Sequence, residues 1–203
     1  MKHVLPILAL LASSSFALEA NLGADVSGIL TMPSNSPSGI EGKVGYGVRA
    51  TPAIELALNG FLAVRGSMGY ELTTWGTKSS GSVLGVGYSS DSSIVTQFLT
   101  FAVAGEVYVV PKVAFVSLGT SVDMPIKSSY TYKRTLAGAS VTTDGEITGD
   151  QNSVFLDLGA GVQLLPSLGV VAGYRLPVVP YYDRNDETNK LRQISLGIRI
   201  TIL

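Results

Sequence analysis

The chain has 203 residues, a formal net charge of −1, no Cys and a single His at position 3. The missing Cys excludes disulfides, thiolate metal sites and Cys nucleophiles, and the missing downstream His excludes most catalytic triads and zinc sites. The basic residues are scattered and form no patch for nucleic acid; a 46% apolar content against 14% charged residues, with 23 Gly, reads as an unusually greasy β protein.

The first element is a secretory signal. Lys2 and His3 give a basic start, Val4 to Leu11 is too short an apolar stretch to span a bilayer, and Ser15-Phe16-Ala17 is a small-x-small cleavage site. Residues 1–17 are therefore expected to be a cleaved signal peptide and residues 18–203 one domain. No later segment approaches the roughly 18–20 apolar residues of a membrane helix, so entry into a membrane requires a closed barrel.

Strands follow in order: Glu19–Met32, Gly42–Leu58, Phe61–Thr74, Ser93–Val110, Val113–Ile126, Ser153–Leu164, Leu168–Pro177 and Lys190–Leu203. The period is clearest from Lys43 to Asn59, where Val44, Tyr46, Val48, Ala50, Pro52, Ile54, Leu56 and Leu58 alternate with Gly, Arg49, Thr51, Glu55 and other polar residues. The connections alternate too. Asn59-Gly60, Pro111-Lys112 and Pro166-Ser167 are tight, whereas Pro33–Glu41, Trp75–Ser92, Lys127–Asn152 and Val178–Asn189 are long and polar. All short turns thus fall at one end and all long loops at the other, as in outer-membrane barrels. In the longest loop, Ser128–Leu136 and Ala139–Ile147 alternate around Gly138 and are expected to extend the wall as a hairpin.

The period sorts the charges. Asp25, Lys43, Arg49, Glu55, Arg65, Glu71, Glu106, Asp123, Asp157, Arg175 and Arg199 fall on one face; the other carries runs such as Leu156, Leu158, Ala160, Val162 and Ile194, Leu196, Ile198, Ile200, Ile202. A mid-membrane charge on the lipid face costs about 2–4 kcal/mol, so this segregation predicts an eight-stranded antiparallel up-and-down transmembrane β-barrel. An eight-stranded barrel is just wide enough to be filled by side chains. Inward Gly23, Gly45, Gly47, Gly69, Gly119, Gly159, Gly161, Gly173 and Gly197 make room for long Arg and Glu side chains, which are expected to pair as a structural plug, with an ion path as the alternative. Phe98, Ala102 and Phe115 also point inward, and the pattern gives no sharp reason for them.

Tyr70, Trp75, Tyr88, Tyr130, Tyr132, Tyr181 and Tyr182 gather toward the long-loop end, as an interfacial girdle or as partner-binding aromatics. The acidic runs at Asp144–Glu146 and Asp183–Glu187 lack the ligand spacing of a calcium loop. The Glu55 and Glu71 pair is expected to be salt-bridged instead of catalytic. No cofactor is expected.

Gly45-Tyr-Gly-Val-Arg to Tyr70-Glu71-Leu72, Gln97-Phe-Leu-Thr through Val113-Ala-Phe-Val-Ser-Leu-Gly, Leu158-Gly-Ala-Gly-Val-Gln, Ala172-Gly-Tyr-Arg and Ser195-Leu-Gly-Ile-Arg carry a resemblance. The chain resembles the small outer-membrane β-barrel domains of Gram-negative bacteria, particularly the PorT-like group. The resemblance implies export to the bacterial outer membrane, contact with its lipid, handling by the barrel-assembly machinery, and a non-enzymatic structural or surface role. It transfers no catalytic residue. Many such barrels end in Phe or Trp, whereas this chain ends Ile200-Thr-Ile-Leu203. The expected function is surface interaction with an extracellular protein or other surface partner through the long loops. The alternatives are a narrow porin-like channel and a soluble periplasmic barrel around an apolar ligand.

Overall fold

The computed structural model describes residues 18–34, 40–83, 85–147, 151–179, 182–184 and 187–202. The signal sequence and Tyr181 lie outside them, and the backbone alone is described for Tyr182. Period-two alternation builds β1 (Glu19–Ser34), β2 (Ile40–Lys43), β3 (Gly45–Ala57), β4 (Leu62–Val83), β5 (Val86–Val110) and β6 (Ala114–Leu136). β7 (Ala139–Ile147), β8 (Ser153–Leu165), β9 (Leu168–Val179), β10 (Tyr182–Arg184) and β11 (Glu187–Ile202) complete the chain.

The wall runs β1-β3-β4-β5-β6-β8-β9-β11, every neighbouring pair antiparallel. It closes on itself where Leu22 to Ser34 of β1 pair with Ile202 to Lys190 of β11. Closure removes the free edges a membrane cannot hydrate. The fold is therefore an eight-stranded up-and-down transmembrane barrel. β2, β7 and β10 are short additions paired to β4, β6 and β11 at the end opposite the tight turns.

The outer surface is apolar where the barrel crosses lipid. Leu22, Val48, Val103, Leu118 and Leu196 are each more than half exposed, while the buried set is dominated by Glu, Asp, Arg, Thr and Ser. A soluble barrel would show the opposite, so the soluble apolar-ligand alternative is overturned. Ile194 to Ile202 presents its apolar face over a stretch of about 27 Å at ~3.4 Å per residue. Tilted by about 40°, that covers most of a ~25 Å outer-membrane band.

The tight-turn end is fixed locally. Asn59 Oδ1 accepts from the backbone N–H groups of Phe61 and Leu62, both at 2.8 Å, which closes the β3–β4 turn. The opposite end departs from the expected loops. Trp75–Ser92 is not a loop: β4 and β5 pair continuously from Leu62↔Val107 to Val83↔Val86. β6 likewise runs on past the wall and turns at Ala137 (φ 50) and Gly138 (φ 83) into β7, the hairpin the alternation predicts. Two positive φ values at the centre make this a two-residue turn whose twist suits a hairpin. β2-β4-β5-β6-β7 thus form a sheet that projects beyond the barrel.

Candidate functional site

Two features carry chemistry: an ionic lumen and the projecting sheet. The lumen charges lie on inward positions of the wall and separate into two clusters. Near the tight-turn end, Arg65 Nη2 donates to Asp25 Oδ1 at 2.9 Å and Nη1 to Glu55 Oε2 at 3.5 Å. Arg199 binds Asp25 at 3.1 Å and Glu106 at 2.9 Å, and reaches Glu55 at 3.8 Å. Tyr108 adds a hydroxyl that donates to Glu55 at 3.4 Å.

Nearer the projecting end, Arg175 gathers the second cluster. Its Nη2 and Nη1 bind both Asp123 oxygens at 2.8 and 3.0 Å, its Nε binds Asp157 at 3.0 Å, and its Nη1 reaches Glu71 at 3.1 Å. Arg49 binds Glu71 Oε2 through Nε at 2.8 Å and Nη2 at 2.6 Å. Gln193 ties the group together, donating to Glu71 Oε1 and accepting from Arg49 and Arg175. Charge-assisted bonds of this kind satisfy buried ions that would otherwise be very costly. Glu55 and Glu71 belong to different clusters, and each is held by guanidinium groups.

The inward rings now have a reason. Arg175 Cζ lies 4.1 Å above the Phe155 ring, and Arg199 Cζ lies 4.4 Å above Phe115. A ring face attracts a cation and excludes water from one side of it. Phe155, Gln193 and Ser121 were not singled out from the sequence. Period two places each inward, but only the fold shows that they meet an arginine.

Above the second cluster sit hydroxyls and then an apolar lid. Thr31 and Thr73 share a 2.8 Å hydrogen bond, and Ser128 donates to Thr96 at 3.3 Å; all of them are buried. Trp75, Phe98 and Leu191 pack together over them, with Ile94 alongside. Trp75 is only 5% exposed, so it belongs to the lumen and not to an interfacial girdle. It follows Glu71 and Thr73 on the inward face of β4, as period two requires.

Between the clusters lies a cavity of about 140 Å³, bordered by Arg65, Arg199, Arg49 and Arg175 and by hydroxyls including Thr51, Thr100 and Ser195. Arg65 Nε and Thr100 Oγ1 have no hydrogen-bond partner among the described residues. A polar chamber of this size holds water instead of staying dry. At the tight-turn end a vestibule of about 450 Å³ opens onto Glu55, Tyr108 and Arg199.

Lys43 is the exception among the predicted lumen charges. Lys43 pairs with Gly76, yet Gly47 pairs with Thr73, so the β2–β3 side carries one extra residue near Val44. A one-residue slip turns every following side chain to the other face. Lys43 therefore leaves the lumen and forms an ion pair with Asp91 on the outer side of the projecting sheet. A second irregularity, between Gln97 and Phe98, changes the inward parity of β6 from Ser121 and Asp123 below it to Ser128 above it.

These slips fix the two faces of the projecting sheet. The outer face carries charge: Glu41 pairs with Lys78, Lys78 with Asp91 and Asp91 with Lys133 across four neighbouring strands. Lys127 donates to Glu146 at 2.9 Å, and that carboxylate holds the Lys127 ammonium above the ordinary lysine range. The inner face carries Tyr88, Tyr130 and Tyr132, with Ser79 bonded to Ser90 at 2.7 Å and Thr77 to Ser92 at 2.9 Å. Those tyrosines stand at the edge of the apolar band or beyond it, not in it. Tyr70 does face outward near the upper edge of the band; Tyr46, which the sequence reading did not single out as an interfacial aromatic, does the same. Among the described residues, no group of acidic side chains has the arrangement of a metal site.

No family model matches the chain, and no curated protein matches it significantly. Solved structures that it resembles include Ail, the attachment invasion locus protein of Yersinia pestis, at 13% identity, covering 90% of this chain and 97% of that one, with a TM-score of 0.43. Neisserial surface protein A is similar at 14% identity, covering 92% and 99%, with a TM-score of 0.40. The N-terminal β-barrel domain of Pseudomonas aeruginosa OprF is similar at 8% identity, covering 91% and 100%, with a TM-score of 0.32. The chain's own closed circuit, outward apolar band and ionic lumen make it a transmembrane barrel of the outer-membrane kind.

Proposed function

We propose that the chain is a non-enzymatic bacterial outer-membrane protein, exported by the signal at residues 1–17, that uses a closed barrel to hold an interaction sheet at the cell surface. Membership in the PorT-like group is part of this reading and rests on the strand motifs quoted above. The observation that carries the proposal is the division of labour along the chain. The lumen is filled by ion pairs and lidded by Trp75, Phe98 and Leu191, while β4 to β7 continue beyond it as an ordered sheet. A lumen built this way is a plug, and long strands projecting into water have no part in closing it.

The test is deletion of residues 77–92 and 129–147, each replaced by a tight turn. The shortened chain is expected to keep the heat-dependent gel shift of a folded barrel. Cells displaying it are expected to lose the attachment to other cells or to matrix that the full chain confers. Equal attachment by both strains refutes the surface role. Discrete conductance steps from the intact protein in a planar bilayer would replace this reading with the narrow channel.

A further inference from the structure

We propose that the inner face of the projecting sheet is a binding strip for an acidic carbohydrate chain. The inference rests on the surface-interaction reading and names the partner class. The two faces of the sheet differ in charge. Lysines and acids of β2, β4, β5, β6 and β7 project to the outer side, where Lys43–Asp91 and Lys127–Glu146 satisfy one another. On the inner side the formal charge of the described strip is Arg134, which is exposed and makes no ion pair among the described residues.

The body of the strip is aromatic and hydroxylic, and its aliphatic residues, Val86, Leu136 and Val141, stand toward the tip. The Tyr88 phenol packs over Gly81 and the Tyr130 phenol over Gly145; a Cβ on either glycine would meet phenol atoms at 2.7 to 2.9 Å. Both rings therefore lie against the neighbouring strand, Tyr88 over β4 and Tyr130 over β7. Tyr132 lies between them along β6, beside Arg134, and is 38% exposed. The Ser79–Ser90 pair needs only one hydroxyl proton for its own bond, which leaves a second donor for a ligand.

This chemistry fits a sugar better than a protein. Side chains that anchor protein interfaces stand up and fill desolvated pockets. Here Tyr88 and Tyr130 rest over neighbouring strands, and the hydroxyls of Ser90 and Ser92 stand on β5 between their levels. A sugar ring offers an apolar C–H face to stack on tyrosine and an equatorial rim of hydroxyls for serine. A tyrosine platform also loses little conformational entropy on binding. Arg134 supplies a planar fork for a carboxylate on the same chain. From Tyr130 to the level of Tyr88 the strip runs about 20 Å at ~3.4 Å per residue, room for several sugar units.

The experiment is calorimetric titration of the detergent-refolded full chain with an oligogalacturonate of about eight units, with maltooctaose as the neutral counterpart. Saturable binding of the oligogalacturonate is expected, weakened at least tenfold by Arg134→Ala and by Tyr132→Ala. Lys133→Ala, one residue along but on the outer face, is expected to leave binding unchanged. Each variant is first shown to keep the barrel's gel shift. No binding of either sugar, equal binding of both, or equal losses from Lys133→Ala and Arg134→Ala would overturn the proposal. If hairpin deletion abolishes cell attachment while the intact chain binds no sugar, the carbohydrate proposal falls and the surface role stands.

Discussion

Replacing Arg175 by Met tests whether the lumen clusters hold the barrel together. Met removes the guanidinium while keeping an unbranched chain of comparable reach, so the main loss is electrostatic. Glu71 retains Arg49 and Gln193 after the change. Asp123 does not: Arg175 is the cation that binds both its oxygens, and Asp123 is 1% exposed. Removing one partner of a buried ion pair costs about 3–5 kcal/mol, because the remaining charge is left uncompensated. At about 1.4 kcal/mol per decade this lowers the folding equilibrium by roughly two to four decades. The assay is reversible urea unfolding in lipid vesicles, followed by the fluorescence of Trp75, the single tryptophan, which sits in the lid above the cluster. Asp123→Asn is then added to Arg175→Met. The double variant is expected to be more stable than Arg175→Met alone, because the stranded carboxylate is gone, and the cycle reads their coupling directly. A loss below about 1 kcal/mol for Arg175→Met, or a double variant less stable than the single one, would refute the assignment of Arg175 as the clamp.

Three further outcomes follow from the geometry. Ile198→Arg, on the outward face near the middle of the band, is expected to cost about 2–4 kcal/mol in the same unfolding assay, whereas a small cost would place that face away from lipid. Trp75→Ala is expected to destabilise by about 3–5 kcal/mol through the cavity it leaves in the lid. In planar bilayers it is also expected to remain without discrete conductance, because both arginine clusters lie below it; open steps in this variant would make the lid the sole barrier. Gly69→Ala places a Cβ 2.1 Å from the Ala50 carbonyl oxygen and 2.6 Å from Thr51 Cα. Neither backbone atom can swing aside, so a lower yield of heat-shifted barrel on refolding is expected, and unchanged yield would show that β3 and β4 can separate there.

The wall of the barrel was legible because lipid enforces one rule at every outward position. Leu156 to Val162 and Ile194 to Ile202 alternate without interruption, and the structure places those residues outward. The same rule located Asp25, Arg65, Glu71, Glu106, Asp123, Arg175 and Arg199 on the inside. What the sequence could not convey was partnership: Arg175 meets Glu71 across 104 positions of chain and Arg199 meets Glu106 across 93. Lys43 was misplaced because a one-residue bulge has no signature in composition, yet it reverses parity for everything beyond it. Trp75 was misplaced for a different reason. Serine and glycine from Ser79 to Ser93 carry the usual turn chemistry, so the pattern ends the strand at Thr74, one residue before the period sends Trp75 inward.

Those polar hairpins show where the membrane stops. On β4 the outward side chains run Met68, Tyr70, Leu72, Thr74, Gly76, Lys78; on β5, toward the same end, they run Phe101, Leu99, Gln97, Val95, Ser93, Asp91. Backbone pairing is unbroken through both series. Only the solvent of the outward face changes, from hydrocarbon to water, and with it the residues that the face tolerates. Once both faces are wet, hydrophobic alternation has no physical cause, so its disappearance marks the bilayer surface and not the end of the strand. The strands continue past it because a hydrogen-bonded sheet needs no lipid, and the extension that results carries Tyr132 and Tyr88 progressively beyond the band, with Tyr130 at its edge beside Ile94.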